Sequence, residues 1–281
     1  MRRGRRRGSG VSSSSTDRAP RDRPSWRFRV LAWLVIAFVR LARWRVRTRG
    51  LEHVPSTGGA VLTWNHTSHV DFVVTAYDIY RRLGRPVHVL ARADLWRSWR
   101  TRWILRWAGA VPVERSDTRS RRASYAAAVK ALTDGRLVMV APEGRISTSF
   151  EVEPMRTGAA RMARQARVPI VPSASWGSHR LVTTGRPFDL RRAWAIPVEV
   201  VFGEPIEVGP DADVAAVTAL LHHHTSELLT ELQRIYPDGA PKGAWWVPAR
   251  LGGSAPAAGS AREVDADPAS DDDAPPPGAA T

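Results

Sequence analysis

Between residues 58 and 237 short β-rich apolar runs alternate with stretches of helical periodicity, and no other feature constrains the chain as much. Residues 59–64, 86–91, 110–114, 136–144, 168–175 and 196–208 read as strands, the last as one or two strands with a bend. Residues 68–82, 95–107, 119–134, 154–166 and 214–236 read as helices. Such alternation is the pattern of an α/β fold, a mixed sheet flanked by helices. No internal repeat is visible, and the central residues suffice for one substantial core.

Charge separates this middle from two tails. Of the formal net charge of +15, residues 1–50 carry +13 and residues 251–281 carry −5, which leaves +7 for residues 51–250. Residues 1–25, nearly devoid of apolar side chains, read as a disordered basic arm drawn to phosphate-bearing surfaces. Residues 251–281, rich in Ala, Pro, Gly and Asp, read as a disordered acidic tail. The folded domain is expected over residues 48–250. The chain has no cysteine, which excludes a disulfide framework, a thiolate metal site and a Cys nucleophile.

Between arm and domain, residues 26–47 read as a membrane-associated helix. The uncharged apolar run extends only from Val30 to Val39, and ten helical residues cover roughly 15 Å, about half the hydrocarbon thickness. On a continuous helix Arg40, Arg43 and Arg47 share one face, with Trp26, Trp33 and Trp44 spread along it. That arrangement suits attachment at the interface rather than spanning; the competing reading is a core helix. Basic residues follow the run and no small-x-small cleavage site appears, so a signal peptide is disfavoured. A second surface of the same kind is expected over residues 94–109, where Trp96, Trp99, Trp103 and Trp107 recur among Arg97, Arg100, Arg102 and Arg106.

The densest chemistry follows the first strand. "TWNHTSHVDFVV" places Asn65, His66, Ser68, His69 and Asp71 within seven residues, and ligands of α/β folds bind beyond the carboxyl ends of strands. His66 and Asp71 fall roughly 140° apart on a continuous helix. They meet only if His66 sits in the loop and the helix begins at Ser68, since Ser68-x-x-Asp71 has capping-box spacing. The carboxylate then fixes the imidazole tautomer and leaves the other ring nitrogen basic, as a general base for an alcohol requires. Three other readings of these residues stand: Asp71 as a helix cap alone, His66, His69 and Asp71 as metal ligands, and His66 as a loop histidine satisfied by its surroundings. Two further strand ends carry polar turns, Glu114-Arg115 after 110–113 and Pro142-Glu143-Gly144-Arg145 after 136–141. In the second, the glycine frees the backbone to approach a ligand, and an arginine can pair with phosphate.

Taken in order, Asn65-His66-x-x-x-x-Asp71, Gly109 to Arg115, Glu143-Gly144-Arg145-Ile146-Ser147 and "VPIVPSA" with Pro172 resemble the four motif blocks of the glycerophospholipid acyltransferase family, across roughly residues 44–210. The resemblance implies a glycerol-3-phosphate acyltransferase-like α/β fold, with His66 as general base on the acceptor hydroxyl and Asp71 as its orienting partner. It implies that Asn65, Ser68, Arg115, Glu143, Gly144 and Arg145 bind substrate and that Pro172 helps shape the acyl-donor site. The donor would be an acyl-CoA or an acyl carrier protein thioester, with no metal or other cofactor. The acceptor would be a lysophospholipid, foremost 1-acylglycerol-3-phosphate, at the cytoplasmic face of the cell membrane. Membrane lipids are then the partners, and no motif that reads nucleic acid accompanies the basic arm. In two respects the chain departs from the family: Glu114 stands where the family often has Asp, and, of more consequence, Arg145 follows Gly144 directly and Ile146 stands where the family usually has Arg. One residue turns a side chain to the opposite face of an extended segment, which extends the implied acceptors to another lysophospholipid or a glycolipid; the rival reading outside the enzymes is a non-catalytic lipid-binding member of the fold.

Overall fold

The computed structural model describes residues 22–113, 118–186, 188 and 194–258. Its strands are β1 (Arg45–Arg49), β2 (Ala60–Thr63), β3 (Val87–Arg92), β4 (Val111–Val113), β5 (Leu137–Val140), β6 (Ile170–Val171), β7 (Ser173–Trp176) and β8 (Pro197–Phe202). The helices are α1 (Trp26–Leu41), α2 (Asp71–Asp78), α3 (Trp99–Trp107), α4 (Thr118–Thr133), α5 (Gly158–Ala166) and α6 (Val214–Ile235).

The strands form two sheets, where the sequence suggested one mixed sheet. Five pair in the order β4-β3-β5-β2-β6, every pair parallel. The other three pair in the order β1-β8-β7, parallel and then antiparallel. Pro172 explains the division. It has no N–H to donate to a ladder, so the run expected as one strand over 168–175 leaves the first sheet after Val171 and joins the second at Ser173. The carbonyl of Pro172 accepts from the N–H of Gly203 at 2.8 Å.

Continuous apolar runs suit a parallel sheet covered on both faces. Along β2 and β5 alternate residues serve opposite layers. Leu62, Leu137 and Met139 pack with Val74 of α2 and with Val198, Val200 and Phe202 of the second sheet. Val61 and Val138 pack with Ala128 and Leu132 of α4, Ala163 of α5 and Leu221 of α6. Each fully buried Leu contributes about 1.5–3 kcal/mol. At the amino ends of the central strands the buried guanidinium of Arg85 donates to the carbonyls of Pro55, Gly58 and Gly135 at 2.6–2.7 Å. This clamp closes one end of the sheet, and the carboxyl ends are left for the site.

Several elements are shorter than their sequence pattern suggests. The helix expected over 68–82 starts at Asp71, and after Asp78 it widens into a π-helical turn, Ile79–Leu83. The helix expected over 95–107 is interrupted at Ser98, so Trp96 lies in a separate 3-10 turn, Ala93–Trp96. The amino-terminal helix ends at Leu41 rather than 47: Arg43 takes a left-handed conformation (φ 55) and Arg45–Arg49 become β1 beside β8. Arg40, Arg43 and Arg47 therefore do not share a helical face. Ser25 caps α1 by accepting from the N–H of Phe28, and α1 leans on α3 through Trp26 and Trp107, ring centroids 5.9 Å apart. Trp26, Trp33, Leu34 and Leu41 of α1 and Trp99 and Trp103 of α3 stay exposed. Among the described residues no helix is long and apolar enough to cross a membrane.

Candidate active site

Beyond Thr63 the chain leaves the sheet, and the next loop is fixed from Ser175, Glu143, Ser147 and Asp71. Asn65 is fully buried, and its side-chain amide exchanges two hydrogen bonds with the main chain of Ser175, imitating one more ladder pair. The N–H of His66 donates to Glu143 Oε1 at 2.8 Å, and its carbonyl accepts from the N–H of Ser147 at 2.7 Å. The backbone of His66 is thus held by the turn that follows β5.

The imidazole is free of that clamp and meets Asp71 instead. Nδ1 of His66 lies 3.3 Å from Asp71 Oδ2. A carboxylate only accepts, so Nδ1 carries the proton and Nε2 keeps its lone pair. Asp71 opens α2, and its Oδ2 also accepts from the N–H groups of Thr67 and Ser68, both at 2.7 Å. This is half of a capping box, in which the carboxylate reaches back to the free N–H groups before the helix. Ser68 does not complete it: its oxygen accepts from the N–H of Val70 at 3.2 Å rather than from that of Asp71, and its hydroxyl donates to the carbonyl of Val182 at 2.6 Å. Asp71 therefore ties down two N–H groups of the loop ahead of α2 and meets the imidazole at once, where the sequence presents capping and orienting as alternatives.

His66 is 21% exposed and forms part of the wall of a groove of ≈ 990 Å³ beyond the carboxyl ends of β2, β3 and β5. Much of that wall is apolar, including Leu90, Leu105, Val113, Ala128 and Met162. Arg92, Arg121, Arg145 and Arg156 add cationic groups. His69 and Gly144 also line the groove. Partial desolvation pulls the imidazole of His69 below its ordinary pKa, and the neighbouring His66 adds to the effect. Gly144 adopts φ 72, a conformation glycine reaches without strain.

The residues that the sequence associates with substrate thus divide. His66, Gly144 and Arg145 reach the groove, with Asp71 behind His66. Asn65, Ser68, Glu143 and Pro172 do not line it. Glu143 is 4% exposed, and both of its oxygens accept main-chain N–H groups, from His66 and from Glu153. Burial pushes its carboxyl well above the usual range. Arg145 pairs with Glu153 at 2.9 Å, and Glu153 is in turn held by the hydroxyls of Ser147 and Ser149. Glu114 and Arg115 lie outside the described residues. Among the described residues no group of His, Asp and Glu is placed to hold a metal ion. Arg156, just ahead of α5, and Arg121 of α4 also line the groove, and neither carries a distinguishing pattern in the sequence: Arg156 stands alone between uncharged neighbours and Arg121 among the other arginines of an exposed helix start.

The fold and this site are similar to those of α/β acyltransferases: residues 45–176, just under half of the chain, match the family model described as Acyltransferase. Among curated proteins the chain is similar to the 1-acyl-sn-glycerol-3-phosphate acyltransferase of Bacillus subtilis, 26% identical over 199 residues, covering 68% of this chain and 91% of that protein. It is also similar to 1-acyl-sn-glycerol-3-phosphate acyltransferase alpha of Bos taurus, 27% identical and covering 79% of this chain and 74% of that one. Of a chloroplast relative in Arabidopsis thaliana, 27% identical, it spans 46% of the length. The crystal structure of the 1-acyl-sn-glycerophosphate acyltransferase from Thermotoga maritima shares the fold, with a TM-score of 0.61 at 20% identity over 74% of this chain and 80% of that one.

Proposed function

We propose that this acyltransferase moves a fatty acyl group from a thioester of coenzyme A or acyl carrier protein to the free hydroxyl of 1-acylglycerol-3-phosphate, giving phosphatidate. The observation that carries this reading is the contact between His66 Nδ1 and Asp71 Oδ2 at the wall of the groove. Nε2 of His66 takes the proton of the acceptor hydroxyl as its oxygen attacks the thioester carbonyl. The tetrahedral intermediate collapses, the C–S bond breaks, and the imidazolium returns the proton to the departing thiolate. A positioned base of this kind contributes about 10²–10⁴ in rate. The apolar walls suit an acyl chain, and the arginines suit phosphate groups of acceptor or donor.

We place the protein at the cytoplasmic face of the cell membrane, attached through the exposed indoles and aliphatic side chains of α1 and α3. A lipid acceptor then reaches the groove without crossing water. A second reading, another lysophospholipid or a glycolipid as acceptor, is favoured by the engagement of Arg145 with Glu153. Mass spectrometry of products after incubation with labelled acyl-CoA and a panel of lyso-acceptors separates the two. Dominant phosphatidate supports the first reading; a dominant product from any other acceptor overturns it.

A further inference from the structure

We propose that Ser178 is a positioning residue for the transfer, acting through Asp71 on His66; the proposal rests on the reading of His66 as the base. The two oxygens of Asp71 divide their partners. Oδ2 serves His66, Thr67 and Ser68, whereas Oδ1 accepts from the hydroxyl of Ser178 at 2.5 Å. Both residues are fully buried. Ser178 lies beyond residue 176, where the family match ends, so the second oxygen of the carboxylate is held from outside the matched segment.

The turn that presents this hydroxyl has little freedom. Gly177 sits at φ 100, and a Cβ there would stand 2.3 Å from the carbonyl oxygen of Pro197. Ser178–Arg180 form a 3-10 turn. Within it His179 is wedged between the rings of Phe150 and Trp176, at 4.5 and 4.4 Å, and Nε2 meets the carbonyl of Trp246 at 3.0 Å. Further along, Val182 accepts from the hydroxyl of Ser68, and Thr183 donates to the carbonyl of Thr67. Residues 178–183 thus strap the loop that carries His66 and Asp71.

A donor on Oδ1 does two things for the base. It fixes the plane of the carboxylate, so that Oδ2 faces the imidazole. It also draws charge away from Oδ2, which lowers the stabilisation of an imidazolium. Without the hydroxyl only the N–H groups of Thr67 and Ser68 hold the carboxylate, through Oδ2 alone, and the charge left on that oxygen favours protonated His66 more strongly.

The test compares wild type with Ser178→Ala in the full-length enzyme on vesicles, with acyl-CoA and 1-acylglycerol-3-phosphate. Ser178→Ala is expected to lower kcat about tenfold with both KM values unchanged, and to move the acid limb of the kcat–pH profile up by about half a unit. Ser178→Cys, similar in size and a weaker donor, is expected to fall between, and it carries the same readouts if the alanine variant does not fold. A profile that stays in place overturns the proposal, whether kcat is retained or falls only with the folded fraction. His66→Ala is run alongside. If it is inactive while Ser178→Ala behaves as wild type, only Ser178 loses its role; if His66→Ala turns over, the base reading itself fails.

Discussion

The main-chain N–H of His66 donates to the buried carboxylate of Glu143, 77 residues later in the chain. Since the second oxygen of Glu143 accepts from Glu153, one side chain joins the loop after β2 to the segment after β5. Glu143→Ala leaves two buried N–H groups without partners, at about 1–3 kcal/mol each. We expect a lower melting temperature and a kcat that falls more than the acceptor KM rises. A rise in acceptor KM with kcat intact would instead assign Glu143 to substrate binding.

His179 provides a pH test of stability. Burial among aromatic rings pulls its imidazole down to about 4. Between its ordinary value of 6.5 and about 4 the unfolded chain binds the proton and the folded one does not, so stability rises with pH and is lost as the pH falls through that window. The full shift corresponds to up to about 3 kcal/mol. Chemical denaturation at pH 7 and pH 4.5 should show a smaller loss in His179→Gln, whose amide still donates to the carbonyl of Trp246. Equal losses in variant and wild type would contradict the assignment.

On α1, Trp33 is 67% exposed and Leu41 75%. Replacing both with glutamate removes apolar area from the proposed membrane face and adds repulsion from anionic lipid. Sedimentation with anionic vesicles should fall by about tenfold or more, each tenfold being about 1.4 kcal/mol, while the melting temperature stays near that of wild type. Undiminished sedimentation would move the attachment elsewhere.

Much of this architecture was legible in the sequence, for reasons that also mark its limits. Apolar runs such as 59–64 announce strands that need cover on both faces, and the spacing from His66 to Asp71 announces a loop-to-helix contact. Parallel pairing and strand order are tertiary facts that periodicity does not carry. The division at Pro172 has a local signal, a residue without N–H inside an apolar run, but the apolar pattern alone joins both sides into one strand. The roles of Asn65, Ser68 and Glu143 have no such signal. A polar residue that binds main chain and one that binds substrate look alike until its partner, such as Ser175 or Val182, is brought beside it. Nothing in the sequence singles out Ser178 either, since only folding brings it to Asp71, 107 residues away.

The central claim is that the imidazole of His66, oriented by Asp71, removes the proton from the acceptor hydroxyl. Its most direct test is the rate of ester formation from labelled acyl-CoA and 1-acylglycerol-3-phosphate by His66→Ala on vesicles, with folding and vesicle binding checked on the same sample. We expect the rate to fall by roughly 10²–10⁴, with vesicle binding unchanged. Turnover within a fewfold of wild type by the folded, membrane-bound variant would contradict the account.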